Sequence, residues 1–141
     1  MSVVVDASVF VAACRPSEQW WATSLDFIDA IQQGKDEAAA PTLLLVECAG
    51  AIARMTRPEL GLRMIRLIDA LPLRLVALDE GLSRDAAELA AQHRLRGADA
   101  VYVACARQLG ATLVTWDQEM LKRSTPRVAA MAPSQWLQAS G

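Results

Sequence analysis

Four acidic residues of this chain keep company that invites chemistry: Asp6, Glu47, Asp99 and Asp117. Asp6 follows the β-branched run Val3-Val4-Val5, Asp117 follows the apolar stretch 111–115, and Asp99 opens the apolar stretch 100–109. Glu47 sits inside the apolar segment 43–53, with no obviously solvated face around it. An unpaired buried carboxylate costs several kcal/mol, so Glu47 needs compensation. One solution is a structural ion pair with Arg54, Arg57 or Arg96. The other is convergence of all four acids. Two like charges ~4 Å apart repel by ~4 kcal/mol at an effective dielectric near 20, so such a cluster cannot stay fully ionised without a cation. An all-oxygen donor set favours Mg²⁺ or Mn²⁺. The single histidine, His93, reads as exposed on a polar helix end, and the cysteines do not cluster, which disfavours a zinc site of nitrogen and sulfur ligands. Carboxylate-held Mg²⁺ or Mn²⁺ suits phosphate chemistry. Taken singly, Asp6, Asp99 and Asp117 each keep a second reading as helix N-caps.

The elements that must position these acids alternate. An uninterrupted apolar run such as residues 3–5 suits the middle of a parallel sheet covered on both faces, and ligands of such sheets sit beyond the strands' carboxyl ends. Ser8 is placed to cap a short helix to about residue 14. Pro16-Ser17 starts a second helix, 18–33, closed by Gly34, with Trp20, Ser24, Phe27 and Ile31 on one stripe. A short strand over 37–40 precedes a third helix that begins at Pro41-Thr42 and runs to Met55. Pro58 opens a fourth helix over 59–71, stopped by Pro72. Residues 73–78 read as a strand, and Asp79 and Ser83 both suit the start of a helix ending at His93. Gly97 breaks the chain before the Asp99 helix, Gly110 ends that helix, and 111–115 is the next strand. A helix over 118–122, then Pro126, a weak strand at 128–131 and a Pro133-Ser134 terminal turn holding Trp136 complete the chain. The alternation predicts an α/β fold, with a central parallel sheet of four or five short strands flanked by helices on both faces.

Size and composition narrow the classes. The 141 residues, 53% hydrophobic and 21% charged, suit one domain over residues 1–141 with a sizeable core. The amino terminus lacks a basic flank and Asp6 interrupts its apolar run, so no secretory signal is read and residence in the cytoplasm is expected. The longest apolar stretch, 38–53, falls short of the ~20 residues of a membrane span. Cys14, Cys48 and Cys105 stand far apart among apolar neighbours and read as buried reduced thiols. A net charge of −2 gives no bulk attraction to nucleic acid. Arginine, though, makes up 12 of the 14 basic residues, and it binds phosphate bidentately.

The same residues form four ordered motifs that resemble the PIN-domain ribonucleases, and among them the VapC-type toxins of toxin–antitoxin pairs. Val4-Val5-Asp6-Ala7-Ser8 resembles the first motif, with Ser8 in its hydroxyl position, and Leu45-Val46-Glu47 is similar to the second. The stretch from Arg96-Gly97-Ala98-Asp99 to Cys105-Ala106 resembles the third and most specific motif. Leu113-Val114-Thr115-Trp116-Asp117 resembles the fourth, with Thr115 in the hydroxyl position and a bulkier Trp116 than the pattern leads one to expect. The resemblance implies a PIN-like five-stranded parallel sheet and a Mg²⁺- or Mn²⁺-dependent endoribonuclease that acts as the toxin of a type II pair. It also implies homodimers and a small antitoxin covering the site. Asp6 and Asp99 then hold the principal metal, Glu47 and Asp117 complete its shell, and Ser8 and Thr115 support by hydrogen bonds. The expected products carry a 5′-phosphate and a 3′-hydroxyl.

Arg15, Arg96, Lys122 and Arg123 lie near the motifs and are candidates to bind RNA, with ordinary solvated charge as the alternative. Trp20, Trp21 and Trp116 are candidates to stack bases, or else core or dimer contacts. Met55 and Met64 mark a candidate dimer face. Two rival functions remain. A phosphatase of the haloacid-dehalogenase type also begins with a strand and an aspartate, but Ser8 stands where its second acid belongs, and Lys35 and Lys122 are poor candidates for its lysine. A non-catalytic PIN-like module that binds RNA or a partner would use the acids as caps and ion pairs.

Overall fold

Val3, Val4 and Val5 are all fully buried although successive strand residues point to opposite faces, so the strand they form is covered on both sides. It is β1 (Ser2–Val5), the centre of the sheet, in a computed structural model that describes residues 2–124 and 128–140. The break expected at Pro126 lies outside the described residues. From β1 the chain passes through α1 (Ala7–Ala12), α2 (Trp21–Gln32), β2 (Glu37–Pro41), α3 (Leu43–Met55), α4 (Pro58–Ala70) and β3 (Leu73–Val76). It then runs through α5 (Glu80–His93), α6 (Gly97–Leu109), β4 (Thr112–Val114), α7 (Gln118–Arg123), β5 (Ala130–Met131) and α8 (Pro133–Ser140).

All neighbouring strands are parallel, in the order β3-β2-β1-β4-β5. The chain moves outward from β1 through β2 to β3, then crosses back to lay β4 on the other side of β1. Connections leaving β1 and β4 therefore diverge, which opens a crevice beyond their carboxyl ends. Helix α6 packs on β1, β2 and β4, and its residues from Ala100 to Ala106 are all buried.

Helices α3 and α4 form a close pair. A Cβ added at Gly61 would lie 2.6 Å from the Ala49 carbonyl oxygen and 3.1 Å from the Ala53 Cβ. Backbone cannot yield as a flexible side chain does, so Gly61→Ala is expected to destabilise the protein by ~1–3 kcal/mol, read as a lower denaturant midpoint.

Several boundaries differ from the sequence reading, each for a local reason. The cap of α1 is Asp6 rather than Ser8: its Oδ2 accepts the Ser8 N–H at 3.3 Å, and the helix stops at Ala12. Residues 15–20 close successive turns, Glu18 N–H to the Arg15 carbonyl and Trp21 N–H to the Glu18 carbonyl, so α2 starts only at Trp21. Strand β3 ends at Val76 because the Leu78 N–H turns to Thr42 Oγ1 at 3.2 Å. Gly97 does not break the chain; it is the first residue of α6, with Arg96 extended before it and making no side-chain cap, and Asp99 lies inside the first turn. The terminal turn is a full helix, α8. Its Trp136 is buried edge-on against Phe27 with ring centroids 5.0 Å apart, and it donates its indole N–H to Asp36 Oδ2. Cys48 and Cys105 are buried as expected, but Cys14 is exposed. Met64 is core, so only Met55 remains of the candidate dimer face. Among the described residues no helix is long and apolar enough to cross a membrane.

Candidate active site

The register of β1 on β4 pairs Val5 with Val114, so Asp6 and Thr115 leave the sheet side by side. The Asp6 N–H still reaches the Val114 carbonyl at 3.0 Å, while its side chain turns toward the crevice. Thr115 donates its hydroxyl to Asp6 Oδ2 at 2.8 Å and accepts the Asp117 N–H at 3.0 Å. With the Thr115 proton committed, Ser8 donates to Thr115 Oγ1 at 3.3 Å and accepts the Trp116 N–H at 3.0 Å. The hydroxyl protons thus all run one way, from Trp116 N–H through Ser8 and Thr115 to Asp6. This chain seats Asp6 as an acceptor. Among the described residues its hydrogen bonds fall on Oδ2, which leaves Oδ1 for a further ligand.

Asp117 divides its oxygens in the same way. Oδ1 caps α7 by accepting the N–H groups of Glu119 at 2.8 Å and Met120 at 3.1 Å. Capping and ligation are therefore compatible for Asp6 and Asp117. Asp99 serves no cap. From the first turn of α6 it feels Asp117, Asp6 and Glu47 at once. Glu47 enters from α3, half-buried, with Oε1 sealed from solvent and without a hydrogen-bond partner among the described residues. None of the arginines expected to compensate it forms an ion pair with it among the described residues; Arg57 pairs instead with Glu59.

Burial pushes the Asp6 carboxyl above its ordinary value, against the hydrogen bonds from Ser8 and Thr115. Burial also raises Glu47, with Tyr102 pulling it back and Asp6 adding to the rise. Asp99 is pushed up to about 6, first by burial, then by Asp117 and Asp6, with Arg96 opposing. The four acids thus share one field. Among the described residues, no three His, Cys, Asp or Glu side chains form a ready-made ion cage. Oxygen-only donors, unrelieved repulsion and a Glu47 without an ion-pair partner among the described residues fit a hard cation that keeps several waters and takes one or two carboxylates directly.

The strained charge has a consequence for stability. Asp99 titrates near 6 in the fold against an ordinary 3.8, so the native state holds its proton more tightly than the unfolded chain. That contribution is fully present below about pH 4 and is lost as the pH rises through about 6. Discounted for partial exposure, the loss is roughly 1–2 kcal/mol, or roughly 3–8 °C. In EDTA the protein is expected to melt lower at pH 7.5 than at pH 5, and added Mn²⁺ to remove the difference by mass action. Thermal melts at both pH values check this, and a metal-free protein more stable at pH 7.5 would contradict the assignment.

The surroundings sort the remaining candidates. Arg15 is paired with Glu18 at 2.8 Å. Arg123 is held by Glu119 at 2.9 Å and by the Arg94 carbonyl at 2.7 Å, which makes it a brace for the α5–α6 corner. Arg94, which the sequence reading passed over, takes a left-handed backbone (φ 55) where glycine is usual. With Arg96, Arg123, Asp99 and Glu119 it lines a cavity of about 320 Å³. Arg96 acts on Asp99 directly, and Lys122 is exposed at the end of α7. His93 is half-buried rather than exposed, with Nε2 sealed from solvent. Trp116 stacks face to face on Trp20, centroids 4.9 Å apart, and donates its indole N–H to the buried Ser24 hydroxyl at 2.8 Å. It is a packing residue, and Trp20 is its partner.

Residues 3–125 match the family model described as PIN domain. Among solved structures, VapC20 of Mycobacterium tuberculosis, a sarcin-ricin loop cleaving toxin, gives a TM-score of 0.76 at 15% identity, covering 90% of this chain and 98% of that one. PAE2754 of Pyrobaculum aerophilum gives 0.74 at 20% identity, covering 99% and 95%. VapBC2 of Rickettsia felis, solved with a DNA fragment from its promoter, gives 0.71 at 13% identity, covering 94% and 98%. At such identities the likeness is one of fold. No curated protein matches the chain by sequence.

Proposed function

The chain belongs to the PIN domain family, and from that membership we propose that it is a Mg²⁺- or Mn²⁺-dependent endoribonuclease, the toxin of a type II toxin–antitoxin pair. One observation carries the reading: at the crevice beyond β1 and β4, Asp6, Glu47 and Asp99 are all pushed above their ordinary values by burial and by neighbouring carboxylates, Asp117 among them, while no arginine pairs with Glu47 among the described residues. Asp6 and Asp99 are the principal cation ligands, with Glu47 and Asp117 completing the shell directly or through water. A bound divalent ion supplies charge neutralisation at the phosphate and a more acidic attacking water. Ser8 and Thr115 hold Asp6 in its acceptor orientation, and Arg96, above Asp99, is placed to meet a backbone phosphate. The fold shared with VapC20 and VapBC2 supports an RNA substrate and a small antitoxin over the site. A homodimer acting in the cytoplasm belongs to the same reading.

The test is cleavage of a mixed structured-RNA pool with Mg²⁺, Mn²⁺ or EDTA, with product ends determined. Metal-dependent cutting that leaves 5′-phosphates supports the proposal. Products ending in 2′,3′-cyclic phosphates would overturn the hydrolytic mechanism. Folded protein that neither cuts RNA nor gains thermal stability from Mn²⁺ would return the acids to capping and make the chain a non-catalytic module. Family membership and Ser8 at the second-acid position leave the phosphatase reading without support.

A further inference from the structure

Tyr102 is a buried polar group beside the carboxylate cluster. It lies three residues beyond Asp99, so the two share a face of α6 one turn apart. Its neighbours along α6, from Ala100 to Ala106, are alanine, valine and cysteine, and it is fully buried among them. Its hydroxyl is sealed from solvent without a hydrogen-bond partner among the described residues. Glu47 Oε1 is in the same condition, and the phenol lies beside that carboxylate close enough to favour its charged form. Phenylalanine would fill the same space without burying an orphaned hydroxyl, so packing alone does not call for tyrosine here. Two orphaned groups side by side, one a donor and one an acceptor, suit each other.

We propose that Tyr102 is a positioning residue for Glu47: its hydroxyl donates to Oε1, which fixes the carboxylate so that its second oxygen is presented to the cation shared with Asp6 and Asp99. The inference rests on the metal-site reading above and adds to it a residue that touches neither cation nor substrate. Ligating groups held by such outer hydrogen bonds lose about 10- to 100-fold in metal affinity when the bond is removed. The bond acts through Glu47, so its effect must vanish when Glu47 cannot ligate.

Calorimetric titration with Mn²⁺ of the wild type, Tyr102→Phe, Glu47→Gln and the double variant tests this, with thermal melts in EDTA as the folding control. Tyr102→Phe is expected to lose about tenfold or more in Mn²⁺ affinity while melting at or above the wild-type temperature, and to add nothing in the Glu47→Gln background. Unchanged Mn²⁺ affinity in Tyr102→Phe, or an equal loss in both backgrounds, would overturn the proposal. Should the phenylalanine variant melt low, Glu47→Asp, which draws the carboxylate away from the phenol, gives the same comparison: Tyr102→Phe must then have no further effect. A wild type that does not bind Mn²⁺ would sink the metal site itself, an outcome separate from failure of the Tyr102 role.

Discussion

Asp99→Asn is expected to lower metal-dependent RNA cleavage by roughly 10³-fold or more and, in EDTA at pH 7, to raise the melting temperature. The two effects have opposite signs because the carboxylate's charge is the cause of both. Asparagine keeps the shape and loses the charge. The burial that chiefly lifts Asp99 to about 6, and the repulsion from Asp117 and Asp6 that adds to it, then no longer act on a charge, and the folded state gains about 1 kcal/mol or somewhat more. On the proposed function, the same loss leaves the cation with one principal ligand in place of two. Single-turnover cleavage and thermal melts, both on purified variant, read the two signs separately. Glu80→Gln, which removes an exposed carboxylate paired with Arg84 on α5, serves as the charge control and should move neither quantity much. Lost activity together with a lower melting temperature would mean that Asp99 supports the fold rather than the chemistry.

The sheet was legible because its signals are local. Three β-branched residues before Asp6, prolines at positions 58 and 72, and glycines at 34 and 110 mark strand and helix ends through backbone constraints that no distant contact overrides. The errors fall where one residue type has two local uses. Gly97 reads as a breaker, yet with Arg96 extended before it the chain can begin α6 at that point, which moves Asp99 from cap to first turn. Ser8 reads as a cap, but Asp6 reaches the same N–H from two residues earlier and frees the Ser8 hydroxyl for Trp116 and Thr115.

At the site, capping by Asp6 and Asp117 does not exclude ligation, since a carboxylate has two oxygens and each residue spends only one on its helix. Sequence shows residue types, not lone pairs. The Glu47 problem was visible as a charge in an apolar helix, but its neighbour Tyr102 was not, because a tyrosine inside an apolar run reads as core. A phenol three residues beyond Asp99 was the available signal. Arg94 was missed for a similar reason: positive φ belongs to the backbone and leaves no mark when glycine is absent.

Trp116 is the position where long-range packing decides the outcome, and Trp116→Ala is expected to destabilise the protein by ~3–5 kcal/mol. Against a domain stability of ~5–15 kcal/mol, that is a fall in melting temperature on the order of 10–20 °C. The indole is 7% exposed, stacked on Trp20, and bonded to a Ser24 hydroxyl 92 residues away in sequence, so truncation opens a cavity and orphans Ser24 together. Trp116→Phe separates the terms. It keeps an aromatic face for Trp20 and loses the indole N–H, and Ser24 can turn its hydroxyl back to the Trp20 carbonyl, so about 1 kcal/mol is expected. Trp116 also joins Thr115 to Asp117, so loosened packing should reach catalysis through those two residues and lower kcat with little change in KM. A phenylalanine variant as stable as wild type but with a raised KM would instead place the indole against RNA.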